Sequence, residues 1–292
     1  MKEKTMCDHF TLRNDRLSVE ISYPGKKYCG SRFDWMGFIT QVTLDKKHTF
    51  CVPESLEKGK GSGGCGLCGE FGIHEPVGYD ETPVGGYFHK IGIGLLKKPD
   101  MQPYDFFRKY EVMPADSSVF NDRTSADLSL VVPVHNGYGY IYRKSIGLGE
   151  NQLKITYFLT NTGDKSISTT EYCHNFIGID NNSIGSSYSL KLPCRINMSE
   201  VRGPVNTDDN IFFWPDGFCG EFYCQLSDYK KEGFSWEVYD SKAGSGIRET
   251  DDFTIQKFAL WGCKHVVSPE AFIKINLEPG ASQSWSREYE FF

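Results

Sequence analysis

The chain has 292 residues, 39% of them hydrophobic and 24% charged, which supplies enough apolar material for a core and excludes a disordered chain. Its formal net charge is -6 at pH 7, and the sequence lacks the dense basic patch that a nucleic-acid backbone requires. No apolar run approaches the roughly 20 residues of a membrane-spanning helix, and the N-terminal segment contains no apolar stretch typical of a secretion signal. We therefore expect a cytoplasmic protein, monomeric or homodimeric, without a nucleic-acid or membrane partner.

Patterns typical of β-strands dominate the chain. Gly, Pro, Asn and Asp separate them at positions that favour turns, and no segment keeps the period of a helix over three turns. Many short strands with frequent turns predict an all-β fold, namely a large antiparallel β-sandwich that forms a single domain over residues 1–292. The predicted strands cover residues 17–23, 38–44, 128–132, 139–143, 153–159, 167–172, 234–239, 253–258 and 271–277.

Residues 54–103 interrupt this pattern. The part from Glu57 to Gly72 is rich in glycine, and strand patterning fades until about Tyr87. Because loops on a rigid scaffold often carry function, we interpret this stretch as an ordered loop excursion over one end of the sandwich. Its glycine-rich run at 61–66 lacks the G-x-x-x-x-G-K-[ST] pattern and a following helix, so a phosphate-binding loop is not predicted.

Ten cysteines lie at irregular spacings, and in a reducing cytosol they are most simply free thiols. Cys65 and Cys68 form a C-x-x-C pair. A zinc site usually requires two further ligands at matching spacing, and the sequence has no second such pair. A metal or redox role for Cys65 and Cys68 is therefore a minor alternative, and we predict no metal and no cofactor.

Three segments are similar to parts of the galactose mutarotase-like (aldose 1-epimerase-like) proteins. Residues 30–39, GSRFDWMGFI, look like the early family segment in which an arginine-bearing turn precedes the sheet. Residues 171–180, EYCHNFIGID, are similar to the mid-chain strand that carries the catalytic His. Residues 268–280 and 285–291 look like the C-terminal hairpin, in which a strand bearing a Glu is followed by a Pro-Gly turn and a closing strand. These segments follow the family order over nearly the whole chain.

The resemblance implies an enzyme that opens and recloses the ring of an aldose. In this reaction a base removes the proton from the C1 hydroxyl while an acid protonates the ring oxygen. The resemblance suggests Glu270 as the base and His174 as the acid. An earlier active-site His of the family has no secure counterpart, since His74 and His89 lie outside any matching motif. This departure argues against galactose mutarotation more than against the fold.

Further candidates for substrate binding are Arg32, Asp34, Glu70, Lys90 and Trp261. The rigid donors of Arg32 suit sugar hydroxyls, a carboxylate or a phosphate, and its alternative role is a turn-stabilising ion pair with Asp34. Glu70 and Lys90 lie in segments that look like those of one subgroup of the family. Trp261 could stack on a sugar or pack in the core.

Strand alternation allows a check on the proposed pair, because successive side chains point to opposite faces of a sheet. In the strand 271–277 the alternate apolar residues form a core face, which places Glu270 on the other face. His174 and Glu171 also point to opposite faces, so only one of them can share a ligand with Glu270. We choose His174 and expect it to contact the same sugar ring as Glu270.

Two other classes of function stay open. A non-catalytic carbohydrate-binding protein could use the same scaffold, and so could a lyase or glycoside hydrolase, because a fold does not fix a function. A hydrolase would require two carboxylates across the scissile bond, for which Glu70 and Glu270 are the candidates. The sequence predicts a small carbohydrate as the partner without naming it, and Arg32 and Lys90 would suit an acidic sugar.

Overall fold

A computed structural model describes residues 7–227 and 232–292. These residues form 23 β-strands and a 3₁₀ turn at Ile179–Asn181. In chain order the strands are β1 (His9–Arg13), β2 (Leu17–Ser22), β3 (Phe38–Leu44), β4 (His48–Thr49), β5 (Leu67–Phe71), β6 (Tyr87–Lys90), β7 (Gly94–Lys97), β8 (Val112–Pro114), β9 (Asp116–Asn121), β10 (Ser125–His135), β11 (Tyr138–Leu148), β12 (Gln152–Asn161), β13 (Ile167–Asn175), β14 (Tyr188–Lys191), β15 (Met198–Arg202), β16 (Asn206–Asp208), β17 (Ile211–Phe213), β18 (Glu221–Leu226), β19 (Ser235–Asp240), β20 (Ser245–Asp251), β21 (Lys257–Cys263), β22 (Val266–Leu277) and β23 (Ser282–Phe291).

Two ten-stranded antiparallel sheets pack face to face, which confirms the predicted large β-sandwich. The first sheet has the order β1-β2-β3-β5-β13-β22-β21-β18-β15, with β4 paired to β3. The second sheet has the order β16-β17-β14-β19-β20-β23-β12-β11-β10-β9. A third sheet contains β6, β7 and β8. Within the described residues, no helix is long and apolar enough to cross a bilayer.

The main core lies between the two large sheets. In β22 the alternate residues Ala271, Ile273 and Ile275 belong to this core, as the period-two pattern predicts, and Leu153 and Ile155 of the second sheet belong to the same core. Burying one such aliphatic side chain contributes about 1.5–3 kcal/mol. Because one face of each first-sheet strand packs into this apolar core, only the other face is available on the outer side of the sandwich.

The stretch 54–103 contains three strands in addition to turns. β5 is inserted between β3 and β13 in the middle of the first sheet, and β6 and β7 pair in the small sheet. Every residue of β5 is buried, so this strand has no alternation between exposed and buried positions. That burial on both faces explains why the sequence pattern does not indicate a strand at Leu67–Phe71.

Two predicted elements differ in the structure because the chain changes sheets within them. Only the end of the predicted strand 253–258 is a strand, since this segment carries the chain from β20 in the second sheet to β21 in the first. The expected C-terminal hairpin is not a hairpin. Its strands β22 and β23 belong to different sheets, and the turn at Pro279 and Gly280 leads from one layer to the other.

A charged cluster lies between the sheets beneath the candidate site. Arg287 of β23 contacts Glu171 of β13 at 2.6 Å, and it contacts Glu249 and Asp251 of β20 at 3.2 Å each. All four side chains are fully buried. Burial raises the pKa of Glu171 and of Asp251, and the Arg287 guanidinium opposes that rise. This cluster links the two sheets electrostatically.

Candidate functional site

The candidate site lies on the outer face of the first sheet, away from the second sheet. Side chains that stand opposite each other on antiparallel strands project from the same face. Tyr172 of β13 stands opposite Glu70 of β5 on one side and Phe272 of β22 on the other. Beyond β22, Ala259 of β21 stands opposite Glu270. The register therefore assembles the site from strands that are far apart in sequence.

His174 and Glu270 are in contact at the centre of this face. His174 Nε2 lies 3.3 Å from Glu270 Oε1. Ser268, two residues before Glu270 on β22, places its Oγ 2.8 Å from His174 Nδ1 and 3.2 Å from Glu270 Oε1. Glu171 points the other way, toward Arg287. The structure thus brings together the two residues for which the sequence predicts a catalytic role and adds a bridging hydroxyl.

Aromatic rings enclose the His174 imidazole. Phe176 stacks on it with a centroid distance of 3.9 Å, and Trp261 and Phe33 approach it edge-on at 5.5 and 5.9 Å. His174 and Glu270 are each only 5% exposed. Because apolar rings exclude water, electrostatic interactions between this pair and a ligand are stronger than they would be at an open surface.

Burial shifts both catalytic candidates toward their uncharged forms. It raises the pKa of Glu270 to about 8, against the opposing effects of Arg32, Lys257 and Ser268. Burial, assisted by the positive charge of Arg32, lowers the pKa of His174 well below its usual value. At neutral pH the free protein therefore holds a protonated carboxyl beside a neutral imidazole. These directions favour Glu270 as proton donor and His174 as proton acceptor, the reverse of the roles that the resemblance suggests.

Arg32 is held rigidly beside this pair. Its Nε donates to Glu70 Oε2 at 2.9 Å, its Nη1 to Ser62 Oγ at 2.9 Å, and its Nη2 to Tyr172 Oη at 3.2 Å. The rings of Phe33 and Phe106 lie 4.5 and 4.6 Å from its guanidinium carbon. Each nitrogen thus has a protein partner, and Arg32 mainly organises the site.

Glu70 and Lys90 lie behind Arg32. Glu70 is fully buried, and its Oε2 accepts a second hydrogen bond from Tyr172 Oη at 2.6 Å. The Lys90 ammonium donates to the Phe71 carbonyl at 2.7 Å and lies 3.5 Å from Glu70 Oε1. Burial lowers the pKa of Lys90 to about 8 although Glu70 opposes this shift. A fully buried Glu70 does not suit the second carboxylate of a glycoside hydrolase.

Other candidates from the sequence lie apart from the pair. Asp34 points between the sheets, where it accepts hydrogen bonds from Tyr142 at 2.8 Å and Lys144 at 2.7 Å, and it does not form the ion pair with Arg32 that was the alternative role of that arginine. His89 is buried and contacts the His135 carbonyl. Asp34 and His89 therefore have structural partners instead of facing the site.

The remaining candidates lie at its margins. His74 is exposed, and its ring lies 6.0 Å from that of Phe106. Trp261 is partly exposed and packs against His174, so it can present an aromatic surface to a ligand. Cys65 and Cys68 each lie near a backbone carbonyl oxygen, and β5 instead of a helix follows the glycine-rich run. Across residues 7–227 and 232–292, no group of three or more potential metal ligands forms.

Sequence reasoning missed Ser268 and Lys257. Both lie on the site face of their strands, because Ser268 is two positions from Glu270 and Lys257 stands opposite Phe272. The alternation that identifies the face of Glu270 could have found Ser268. Lys257 required the register between β21 and β22, which the sequence alone does not give.

No protein-family model and no curated protein sequence matches the chain. Its fold is similar to that of a galactose mutarotase-like protein from Lactobacillus casei ATCC 334, with a TM-score of 0.61, 12% identity and coverage of 97% of this chain and 100% of that chain. A galactose mutarotase related enzyme from Lactobacillus acidophilus gives a TM-score of 0.60 at 12% identity, covering 97% of each chain. An aldose epimerase homologue from C. elegans gives 0.58 at 10% identity, covering 97% of this chain and 98% of that chain. These similarities establish the fold.

Proposed function

We propose that this protein, which has the galactose mutarotase-like fold, interconverts the anomers of an aldose or aldose derivative by acid/base opening and reclosure of the sugar ring. The observation that carries this proposal is the 3.3 Å contact between His174 and Glu270, two side chains that are each only 5% exposed and lie among aromatic rings. The reaction requires one proton donor and one proton acceptor within reach of the same carbon atom. A buried carboxyl with a raised pKa and a neutral imidazole meet that requirement at neutral pH.

The ring-opening step uses each member of the pair once. His174 accepts the proton of the C1 hydroxyl while Glu270 donates its proton to the ring oxygen, and the bond between C1 and that oxygen breaks. The products are an open-chain aldehyde, an imidazolium and a carboxylate. Rotation about the bond between C1 and C2 exposes the other face of the carbonyl. Reclosure reverses both proton transfers and restores the original protonation of the protein.

Ser268 is a positioning residue in this scheme. Its hydroxyl can accept a hydrogen bond from His174 Nδ1–H and donate one to Glu270 Oε1 at the observed distances. That arrangement leaves Nε2 unprotonated and directed toward Glu270, as a base requires. A defined tautomer also fixes the orientation of the imidazole ring.

Anomeric exchange measured by NMR saturation transfer tests the proposal. Wild-type protein is added to freshly dissolved aldoses, uronic acids and sugar phosphates, and Glu270→Gln and His174→Ala are run in parallel. We expect at least one sugar to exchange faster with the wild type, and we expect each substitution to lower that rate by about 10²–10⁴-fold, the usual contribution of general acid–base catalysis.

Glu278→Gln is a matched control, because Glu278 is an exposed carboxylate just after the same strand. It should exchange sugars at the wild-type rate. Ligand-observed NMR on the same samples separates binding from catalysis. If sugars bind but none exchanges faster, the protein is a carbohydrate-binding protein or catalyses a different reaction, and the assignment of His174 and Glu270 fails.

A further inference from the structure

Two of the cations near His174 and Glu270, namely Arg32 and Lys90, have carboxylate partners. The Arg32 guanidinium is paired with Glu70 at 2.9 Å and lies 3.6 Å from Glu54. The Lys90 ammonium, 3.5 Å from Glu70, is buried behind Arg32. These two cations therefore have carboxylate partners within the protein and give little reason for the site to attract an anion.

Lys257 differs from Arg32 and Lys90 in having no ion-pair partner among the described residues. It stands opposite Phe272 on the site face of β21, and its ammonium lies 3.9 Å from the centre of the Phe272 ring. Its strand neighbour on that face, Ala259, stands opposite Glu270. In the described part of the chain, no carboxylate forms an ion pair with this ammonium, and nearby Glu200 is bonded to Gln225 at 2.6 Å.

Lys257 is partly desolvated. Burial lowers its pKa, and Glu200 and the carboxylate form of Glu270 oppose that shift without forming an ion pair with the ammonium. Burial in turn raises the pKa of Glu270 to about 8, so this carboxyl is mostly protonated at neutral pH. An anion delivered by a ligand would be a direct partner for the ammonium.

We infer that Lys257 is a specificity-determining residue that binds an anionic substituent, a carboxylate or a phosphate, on the sugar whose anomeric carbon is held by His174 and Glu270. This inference rests on the proposed function and names the substrate class of the same site. The position of Lys257 fits this role, because it is diagonal to Glu270 across adjacent strands. Its side chain is partly exposed, as are those of Trp261 and Tyr223. Long side chains reach each other across such diagonals.

The small side chain of Ala259 belongs to the same arrangement. It stands between Lys257 and Trp261 on the site face, so an aromatic ring and an ammonium flank the position beside Glu270. A sugar ring against Trp261 would direct one end toward Glu270 and another toward Lys257. Recognition at two points of this kind distinguishes a charged sugar from its neutral parent.

Binding of two matched sugar series tests the inference. Each series differs only at C6: D-galactose, D-galacturonate and D-galactose 6-phosphate, and D-glucose, D-glucuronate and D-glucose 6-phosphate. Dissociation constants are measured by ligand-observed NMR at pH 7 and low salt for the wild type, Lys257→Met and Lys257→Arg. We expect the wild type to bind an acidic member at least tenfold more tightly than its neutral parent. The preference should fall to about threefold or less in Lys257→Met and persist in Lys257→Arg.

Lys154→Met is the matched control, since Lys154 is an exposed lysine on β12 of the second sheet, and it should keep the wild-type preference. Thermal unfolding of each variant verifies that it is folded, and Lys257→Gln replaces Lys257→Met if the latter is not. The member that loses affinity identifies the anion as carboxylate or phosphate.

The outcomes separate this inference from the proposed function. An acidic preference that depends on Lys257, without faster anomeric exchange, supports the inference while the proposed activity fails. Faster exchange with no acidic preference, or with a preference that survives Lys257→Met, overturns the inference and leaves the activity intact. Failure of every sugar to bind the wild type overturns both.

Discussion

At the scale of single residues, burial decides the protonation of the catalytic candidates. Burial removes the solvation of a carboxylate at Glu270 on the outer face of the first sheet, and an imidazolium at His174 suffers the same loss together with repulsion from Arg32. Their uncharged forms are therefore favoured. The resemblance selects His174 and Glu270 as candidates. Their surroundings determine which of the two would donate a proton and which would accept it.

The pH dependence of exchange follows from these shifts. The rate should fall as pH rises through about 8, because Glu270 loses the proton that it donates, and it should also fall well below pH 6.5 as His174 becomes protonated. Arg32, Lys257 and Glu70 are the charged groups that act on Glu270. In Glu270→Gln the residual rate should lose its decline near pH 8. A variant that keeps this decline would assign the high-pH group elsewhere, for example to Lys90, whose pKa is also about 8.

At the scale of secondary-structure elements, β5 connects the arginine-bearing turn to β13, the strand that carries His174. It pairs with β13, and its Glu70 holds Arg32. The sequence does not indicate this strand, whereas it predicts β3 with its observed bounds, because β3 keeps one partly exposed face. A strand that is short and covered on both sides has no alternation to detect.

Gly66 determines where β5 begins, which gives a prediction about stability. Its φ of +64° favours glycine, and a Cβ atom there would collide with the Ile39 carbonyl oxygen. Gly66→Ala should therefore lower the free energy of unfolding by about 2 kcal/mol or more and weaken ligand binding by displacing Glu70. Gly147→Ala in β11 is the control, since a Cβ atom at Gly147 meets no neighbour. Chemical denaturation of both variants is the measurement, and equal losses would contradict this account.

At the scale of the whole molecule, the sandwich is held by its apolar core and by the buried cluster around Arg287. Arg287 and Glu171 join the two sheets directly, and Glu171 lies three residues before His174 on β13 with its side chain on the opposite face. Removing one partner from a buried ion pair leaves an uncompensated charge, which costs far more than losing a surface pair. The candidate site therefore rests on a strand whose other face carries a large electrostatic interaction.

Arg287→Met should lower the free energy of unfolding at pH 7 by about 3–5 kcal/mol. Burial raises the pKa of Glu171 and of Asp251 in the folded protein. Ionisation of these buried carboxyl groups therefore lowers the stability of the folded protein more as pH rises through the raised pKa values, and less as pH falls. The deficit of the variant should accordingly be smaller at pH 5 than at pH 8 in urea unfolding experiments.

Arg248→Met provides the contrast, because Arg248 pairs with Glu237 and Glu290 at a side-chain exposure of 42%. Its loss should cost under about 1 kcal/mol and show little change between pH 5 and pH 8. Similar deficits in the two arginine variants would show that the buried cluster adds nothing beyond a surface pair.

Local features could be predicted from the sequence: the all-β class, several of the long strands, the faces of His174 and Glu270, and the segments that resemble the family. These features follow from side-chain alternation with a period of two and from turn residues, both of which act over a few positions. Which distant strands are neighbours could not be predicted in this way. The folded structure places Arg32 against Glu70, turns Asp34 toward Lys144, separates β22 from β23 and sets the Lys257 ammonium over the Phe272 ring beside the pair. The physical reason is that charge balance and burial depend on strand order and register, which distant parts of the chain fix together.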